Sequence, residues 1–186
     1  MYEGRKFRFK VSVIGDGGVG KTPLLKKFTT GSFEKDYVKT IGAQFSVFDK
    51  KIGDDKVRLI FWDIAGQNQF HFLRPSFFNN SKAAIIVYSL EDTKVGIESL
   101  NNVSNWNDDI RKYCGDIPII LFGNILNLDY DDTLYNSDIR EIARIYNFAR
   151  YYITSIESEQ IVFRAFNEQC EMLYNKYKKL SKQNND

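Results

Sequence analysis

The sequence is poor in cysteine, proline and histidine. It contains 2 Cys and 3 Pro among 186 residues, and its only histidine is His71. Two cysteines exclude a disulfide-rich secreted scaffold, and so few prolines, beside 12 glycines, exclude a Pro/Gly-rich linker protein. A single histidine also argues against a zinc site and against a Ser-His-Asp hydrolase.

A charge excess of either sign is also missing. Lys and Arg total 26 against 24 Asp and Glu, which gives a formal net charge of +2. The chain therefore lacks the excess of positive charge that is typical of nucleic-acid-binding proteins. No apolar run approaches the roughly 20 residues of a membrane-spanning helix, and residues 1–10 do not resemble a signal peptide. We therefore expect a cytoplasmic protein, peripheral to membranes only through partners, in which Cys114 and Cys170 are reduced thiols.

The composition that remains is that of one globular domain. Hydrophobic residues make up 43% and charged residues 27%, and the length suits a single core. We predict one domain over residues 1–180 and a disordered tail over residues 181–186. Apolar runs of strand length alternate with stretches of helical periodicity. The predicted strands are 7–14, 43–52, 57–64, 83–90, 117–122 and 150–154, and the predicted helices are 20–30, 93–113, 136–148 and 158–180.

This order of elements predicts an α/β fold with a doubly wound, mostly parallel six-stranded sheet, one antiparallel edge strand and flanking helices. The antiparallel pair is the hairpin of strands 43–52 and 57–64, joined by the polar turn 53–56. Such sheets bind ligands at the carboxyl ends of their strands. Candidate functional residues are therefore sought in the loops that follow the strands.

The loop after the first strand carries a phosphate-binding pattern. Residues 15–22, Gly-Asp-Gly-Gly-Val-Gly-Lys-Thr, match G-x-x-x-x-G-K-[ST] between a predicted strand and a predicted helix. Glycines let successive backbone N–H groups converge on phosphate oxygens, and the helix N-terminus adds partial positive charge. Lys21 is suited to β- and γ-phosphates and the Thr22 hydroxyl to Mg²⁺. The predicted nucleotide-binding residues here are Asp16, Gly17, Gly18, Val19, Gly20, Lys21, Thr22 and Pro23.

Pro23 is unusual in this position. Proline is tolerated in the first turn of a helix because the N–H groups there have no intrahelical partner. In a phosphate loop, however, those N–H groups hold the nucleotide. Pro23 therefore removes one donor at the edge of the loop, and we expect a modest loss of affinity.

A second pattern follows the third predicted strand, where Asp63 and Gly66 form D-x-x-G and Gln67 comes next. An aspartate there can reach Mg²⁺ through water, a glycine allows the backbone to approach a γ-phosphate, and a glutamine can orient an attacking water. The pattern is weak alone. The D-x-x-G pattern becomes a strong indication when it follows a phosphate loop and Thr40 lies between the two motifs in the sequence.

These motifs resemble those of the small GTPases of the Ras superfamily, and within it most closely the Rab family. The resemblance covers residues 7–177. Residues 40–45, Thr-Ile-Gly-Ala-Gln-Phe, resemble the first switch of Rab proteins, and residues 58–67 resemble the strand that enters the second switch. The resemblance implies the fold of a P-loop NTPase G domain, binding of GTP, GDP and Mg²⁺, GTP hydrolysis, and a nucleotide-dependent switch in vesicle and membrane trafficking.

The resemblance also assigns roles to single residues. It implies catalysis by Lys21, Gly66 and Gln67, and metal binding by Thr22, Thr40 and Asp63. It implies nucleotide contacts by Phe33, Thr40, Gly66, Asn124, Asn127, Ser155 and Ile156. Regulators and effectors would bind the switch surface of Thr40, Phe45, Trp62 and Phe77, although core packing is an equal alternative for Trp62 and Phe77.

The guanine-reading motif departs from the family. N-K-x-D is here Asn124-Ile-Leu-Asn127, and Ser-Ala-Lys is Ser155-Ile156-Glu157. A carboxylate accepts hydrogen bonds from both guanine N1–H and N2–H, whereas the Asn127 amide accepts one and faces the other with a donor. An unpaired donor costs about 1–3 kcal/mol. The site would suit a base with oxygen at that position, such as xanthine.

The residues for hydrolysis are retained, so we expect a slow, atypical Rab-like GTPase with weakened base affinity. No arginine of the chain is predicted to reach the phosphates, and Arg74 is expected on the surface. The alternative is a pseudo-GTPase binding module that acts through protein–protein interaction. An ATP-using phosphotransferase fits the switch motifs poorly. Because the final residues, 181–186, contain no cysteine, no lipid anchor is visible and a soluble protein or a fragment is expected.

Overall fold

The computed structural model describes residues 4–28, 43–66, 72–125, 136–155 and 159–183. These residues contain six strands and six helices. The strands are β1 Lys6–Ile14, β2 Ala43–Ile52, β3 Asp55–Ile64, β4 Ala83–Ser89, β5 Ile119–Ile125 and β6 Arg150–Ser155. The helices are α1 Lys21–Phe28, α2 Arg74–Phe78, α3 Lys94–Asn101, α4 Val103–Cys114, α5 Asn136–Ile145 and α6 Glu159–Gln183.

The strands form one sheet in the order β2-β3-β1-β4-β5-β6. β2 pairs with β3 antiparallel, and every other pair is parallel. The predicted fold is therefore confirmed: a six-stranded, mostly parallel sheet with one antiparallel edge strand. Because β1, β4, β5 and β6 run in the same direction as β3, their carboxyl ends lie at one edge of the sheet, where ligands bind in such folds.

Two apolar clusters hold the helices against the sheet. On one face, Phe9, Leu59 and Phe61 pack with Phe166 of α6. On the other, Ile86 packs in the cluster that contains the inward side chains of α2, α4 and α5. All seven residues of β4 are buried, as expected for a parallel strand covered on both faces.

The helix predicted over residues 93–113 is two helices, α3 and α4, which meet at Asn102. Asn102 has φ −84° and ψ −4°, and its side-chain amide bonds to Asp16 instead of pointing to solvent. Val103, Trp106 and Ile110 of α4 are buried, whereas Val95 of α3 is 45% exposed.

Several strand boundaries differ from the prediction by one to three residues, and two of these differences have a local cause. β5 begins at Ile119, after Pro118, because proline lacks the N–H that a central strand needs. β3 begins at Asp55, so the hairpin turn is the pair Gly53-Asp54, with Gly53 at φ +60°. A two-residue turn of this kind favours positive φ at its first position.

The last helix runs three residues past the predicted domain end at residue 180. Ser181 donates a hydrogen bond to Lys178 O at 3.0 Å and accepts one from Arg5 Nη1 at 3.2 Å, and these bonds continue the helix to Gln183. None of the described helices is both long enough and apolar enough to cross a membrane.

Candidate functional site

The loop between β1 and α1 has the backbone of an open, glycine-dependent turn. Gly18 and Gly20 have φ of +82° and +88°, a region that residues with a side chain rarely adopt. α1 starts directly after the loop, and Leu24 N donates to Gly20 O at 3.0 Å. The loop thus presents backbone N–H groups beside a helix N-terminus, the arrangement that binds phosphate in proteins. Pro23 is exposed in the first turn and does not break the helix.

Lys21 is buried inside this loop, with only 7% of its surface exposed. Its ammonium donates to Gly15 O at 2.8 Å and to Asp16 O at 2.6 Å. Burial lowers the pKa of Lys21 to about 8, while the negative charges of Asp63 and Asp16 oppose that shift. A buried ammonium held only by carbonyl oxygens would be stabilised by an anion placed in the loop.

Thr22 and Asp63 meet across the site. The Thr22 hydroxyl donates to Asp63 Oδ2 at 2.5 Å, and Asp63 is 6% exposed at the end of β3. Burial raises the pKa of the Asp63 carboxyl, although the Thr22 hydrogen bond and the Lys21 charge oppose the shift. One hydroxyl and one buried carboxylate fit Mg²⁺, which binds through few protein ligands and completes its shell with phosphate and water oxygens. The described residues contain no group of three or more His, Cys, Asp or Glu side chains that could hold a metal ion.

Gly66 packs directly against the phosphate loop. A Cβ added at Gly66 would lie 2.3 Å from Gly15 O and 2.6 Å from Gly17 N. Both neighbours are backbone atoms, which cannot move aside as a flexible side chain could. No side chain therefore fits where the end of β3 meets the loop, and the D-x-x-G glycine is required by this close approach.

The Asp16 side chain points away from the loop cavity. Its carboxylate accepts hydrogen bonds from Asn102 Nδ2 and from Trp106 Nε1, each at 2.7 Å. Only the main chain of Asp16 is thus left for a phosphate. This pairing could not be predicted, because Asn102 and Trp106 lie 86 and 90 residues from Asp16 in the sequence.

Arg74 is not a surface residue, contrary to prediction. Its side chain is 11% exposed, and Nη1 donates to Asp109 Oδ2 at 2.9 Å. The guanidinium carbon lies 4.0 Å from the centre of the Trp106 ring, and among the described residues Nε has no hydrogen-bond partner. Arg74 is largely covered because α2 packs against α4, which supplies both the ring and the carboxylate.

Asn124, at the end of β5, connects three parts of the chain. It is 1% exposed, donates from Nδ2 to Val19 O at 2.9 Å, and accepts from Thr154 Oγ1 at 3.2 Å. A carboxamide has two N–H groups and two acceptor positions, so one of each remains for a ligand. The same side chain thus fixes the phosphate loop against β6, which ends at Ser155.

The aromatic residues predicted for partner binding lie together. Phe45 and Trp62 meet edge to face with centroids 4.5 Å apart, and Trp62 and Phe77 are 6.2 Å apart. Phe77 is buried, in line with the packing alternative, whereas Phe45 and Trp62 are half-buried. The Lys10 ammonium lies 3.5 Å from the centre of the Trp62 ring.

Several predicted site residues lie outside the described residues, so their roles stay predictions. These are Phe33, Thr40, Gln67, Asn127 and Ile156. The site that the structure brings together comprises the loop of residues 15–22, Asp63, Gly66 and Asn124.

Comparison with known proteins agrees with this geometry. The model of the Ras family matches residues 10–175. The Ras-related protein Rab-21 of Homo sapiens and that of Canis lupus familiaris are each 31% identical to the chain over 171 residues, covering 91% of this chain and 74% of theirs. Rab-21 of Geodia cydonium is 31% identical over 153 residues, covering 82% of this chain and 65% of its own.

Proposed function

The chain belongs to the Ras family of small GTPases, and we propose that it is an atypical, intrinsically slow member that switches between nucleotide states in membrane trafficking. We further propose that it works in the cytoplasm and reaches membranes through partners, and that one domain, predicted as residues 1–180, carries the whole function. The observation that supports the proposal most strongly is the buried Lys21 ammonium, held at the phosphate loop beside the Thr22–Asp63 pair.

The phosphates would be held mainly by the loop. Backbone N–H groups of residues 16–22 would bind the β-phosphate, and Lys21 would exchange its carbonyl partners for β- and γ-phosphate oxygens. Thr22 and Thr40 would hold Mg²⁺ directly and Asp63 through water; the ion, when bound, neutralises charge on the phosphates. Gln67 would orient the attacking water, and the Gly66 N–H would contact the γ-phosphate.

We expect slow turnover because of the contacts that Arg74 makes. Arg74 is held by Asp109 and stacked on Trp106, so its charge is directed to α4. Without an arginine at the γ-phosphate, intrinsic hydrolysis by such sites is slow, and one supplied by a partner contributes about 10³–10⁵-fold. We therefore expect hydrolysis to depend on a partner that binds the switch surface.

The base would be bound weakly. Asn124 retains one donor and one acceptor for the nucleotide, but Asn127 would pair with only one of the two guanine N–H groups it faces. Weaker base contacts act mainly on the dissociation rate. We expect fast nucleotide release compared with a protein that has aspartate at residue 127.

Single-turnover hydrolysis of GTP tests the proposal. Wild type should hydrolyse GTP slowly, Gln67→Leu should not, and Lys21→Ala should lose nucleotide during gel filtration. Lys176→Ala removes an exposed lysine of α6 and should leave both properties unchanged.

The alternative function is that of a pseudo-GTPase binding module. Pro23 and Asn127 favour it because each would weaken the binding of nucleotide. If wild type and Gln67→Leu were equally inactive while GTP still bound, the module would be the correct function. If Lys21→Ala retained nucleotide as well as wild type does, the phosphate site itself would be wrong.

A further inference from the structure

One face of the strands β2, β3 and β1 carries a row of directly opposed lysines. Lys51 of β2 lies opposite Lys56 of β3, and Lys56 lies opposite Lys6 of β1. All three side chains are exposed. Like charges directly opposite each other across strands destabilise a sheet. This row therefore works against the fold.

A second charged row follows on the same face, two residues along each strand. It consists of Asp49, Arg58 and Arg8, all exposed. Arg58 binds Asp49 through two hydrogen bonds, Nε to Oδ1 at 2.7 Å and Nη2 to Oδ2 at 2.8 Å. Arg8 and the three lysines have no carboxylate partner among the described residues, so the two rows together form a cationic surface, which we call the basic face.

Protection of a sheet edge does not account for the basic face. Lysines on an edge strand prevent unwanted strand pairing. Only β2 is an edge strand, however, whereas Lys56 and Lys6 lie on the interior strands β3 and β1. Their positive charges need another explanation.

The basic face is concave. A groove of about 490 Å³ lies over it and is lined mainly by the charged residues of the two rows. α1 and α6 pack against β2 and β3 on the opposite face, through the apolar cluster of Leu59 and Phe61. A groove suits an inserted protein segment better than it suits a flat membrane.

The basic face continues into the aromatic pair. Farther along the same strands and on the same face lie Val47 with Ile60, and then Phe45 with Trp62. Phe45 and Lys51 are six residues apart on β2, about 20 Å at the usual rise of a strand. Protein interfaces combine aromatic residues at the centre with charged residues at the rim.

We propose that the basic face binds an acidic segment of a protein partner, with apolar residues on Phe45 and Trp62 and a run of Asp or Glu along Lys51, Lys56 and Lys6. The part of this inference that concerns Phe45 and Trp62 rests on the proposed function of the switch surface. The part that concerns the three lysines does not.

The test uses the full chain and two labelled synthetic peptides. One peptide begins with Leu-Phe and ends in a run of glutamates; in the other the glutamates are glutamines. The basic-face variant carries Lys6→Gln, Lys51→Gln and Lys56→Gln. The control carries Lys112→Gln, Lys176→Gln and Lys179→Gln, which remove three exposed lysines of α4 and α6 and change the net charge equally.

At low ionic strength, wild type and control should bind the acidic peptide, and the basic-face variant should bind it at least about fivefold more weakly. The glutamine peptide should bind all three proteins equally poorly. The basic-face variant should also unfold at the same or a higher temperature than wild type, because opposed like charges are removed.

Three results would overturn the inference. Equal weakening in the control would indicate general electrostatic attraction without a site. Tighter, basic-face-dependent binding to phosphatidylserine vesicles would identify a membrane surface, and the same result with a short DNA duplex would identify a nucleic-acid surface. GTP binding by the basic-face variant, measured in parallel, should match wild type, so that failure of the nucleotide site is recognised separately.

Discussion

Trp106 donates a hydrogen bond from Nε1 to Oδ1 of Asp16 at 2.7 Å, and so joins α4 to the phosphate loop. The face of the same ring carries the Arg74 guanidinium at 4.0 Å, which joins α4 to α2. One indole therefore contacts both the loop that would hold the phosphates and the helix that follows the second switch motif. Movement of α2 would be transmitted to Asp16 through this ring.

Trp106→Phe tests this connection. Phenylalanine keeps an aromatic face for Arg74 but has no N–H, so Asp16 keeps only its bond from Asn102. Because hydrogen bonds to a charged group contribute about 1.5–3 kcal/mol, we expect a loss of about 1–2 kcal/mol in the free energy of unfolding and faster GDP release. Urea unfolding and release of a fluorescent GDP analogue measure the two effects.

Tyr113→Phe is the matched control for that variant, since it removes a polar group from an exposed ring of the same helix. It should change neither quantity. Release of GDP at the wild-type rate from Trp106→Phe would mean that Asp16 is held well enough without the indole.

Gly66→Ala should slow the hydrolysis of GTP. The added methyl would lie 2.3 Å from Gly15 O, so either the loop or the end of β3 must shift. A displacement of about 1 Å at a catalytic site can slow a reaction about 10²-fold, and we expect a loss of that size in single-turnover GTP hydrolysis.

Gly53→Ala provides a glycine-to-alanine control for Gly66→Ala. It adds a methyl group where no atom lies within 4 Å, at a positive φ of 60° that costs some stability. Its rate of hydrolysis should equal that of wild type. If Gly66→Ala hydrolysed GTP as fast as Gly53→Ala does, the close approach of β3 to the loop would not matter for catalysis.

The local features of the site could be predicted from the sequence. The loop of residues 15–22 needs its glycines in order, and Asp63 follows a strand, so spacing alone placed Lys21, Thr22 and Asp63 together. Most strands and helices were predictable for the same reason, because apolar runs and helical periodicity are local patterns.

The contacts made across the fold could not be predicted. Asp16 bonds to side chains 86 and 90 residues away in the sequence, and nothing near Asp16 marks either partner. Arg74 looked exposed because a charged residue after a switch motif usually is; its burial depends on the ring and carboxylate of α4. The break at Asn102 has the same origin, since a tertiary hydrogen bond outweighs helix propensity there.

Asp55 makes stability depend on pH in acid. Its carboxylate accepts from Tyr174 Oη at 2.8 Å, from Arg5 N at 2.8 Å and from Lys178 Nζ at 3.2 Å. These bonds hold the pKa of Asp55 below its usual value, and the bond from Tyr174 has the largest effect, followed by that from Arg5. The stabilisation is complete above the pKa of a free aspartate, about 3.9, and is lost as the pH falls through the lowered pKa.

Asp55→Asn should therefore be less stable than wild type at neutral pH, and the difference should shrink below about pH 4. Urea unfolding across a pH series measures it. Asp54→Asn changes the exposed neighbour in the turn and should follow the wild-type curve. A constant difference between Asp55→Asn and wild type at all pH values would show that protonation of Asp55 is not involved.

Gln169 is a buried amide that weakens the core. It is fully buried on α6, and neither Nε2 nor Oε1 has a hydrogen-bond partner within the described part of the chain. An unsatisfied buried polar group costs about 1–3 kcal/mol, so Gln169→Leu should raise the free energy of unfolding by about 1 kcal/mol or more. Gln160→Leu, at an exposed position of the same helix, should leave it unchanged. Lower stability of Gln169→Leu in urea would indicate that the amide binds a buried water.

Asn127→Asp should restore guanine selectivity. Residue 127 follows β5, whose Asn124 is already fixed to the phosphate loop and to β6, so the strand that leads to the base site is held in place. A carboxylate would accept from both guanine N–H groups, removing an unpaired donor that costs about 1–3 kcal/mol. GDP should bind the variant about tenfold more tightly, mainly through slower release.

Xanthosine diphosphate should show the opposite preference, because the oxygen that xanthine has in place of the guanine amino group would accept a hydrogen bond from the Asn127 amide and would be repelled by a carboxylate. Competition against a fluorescent GDP analogue gives both affinities, and their ratio cancels any general change in the phosphate site. Asn147→Asp alters an exposed asparagine and should leave the ratio at its wild-type value. If Asn127→Asp changed the affinities for both diphosphates in the same direction, residue 127 would not read the base through its donor and acceptor pattern.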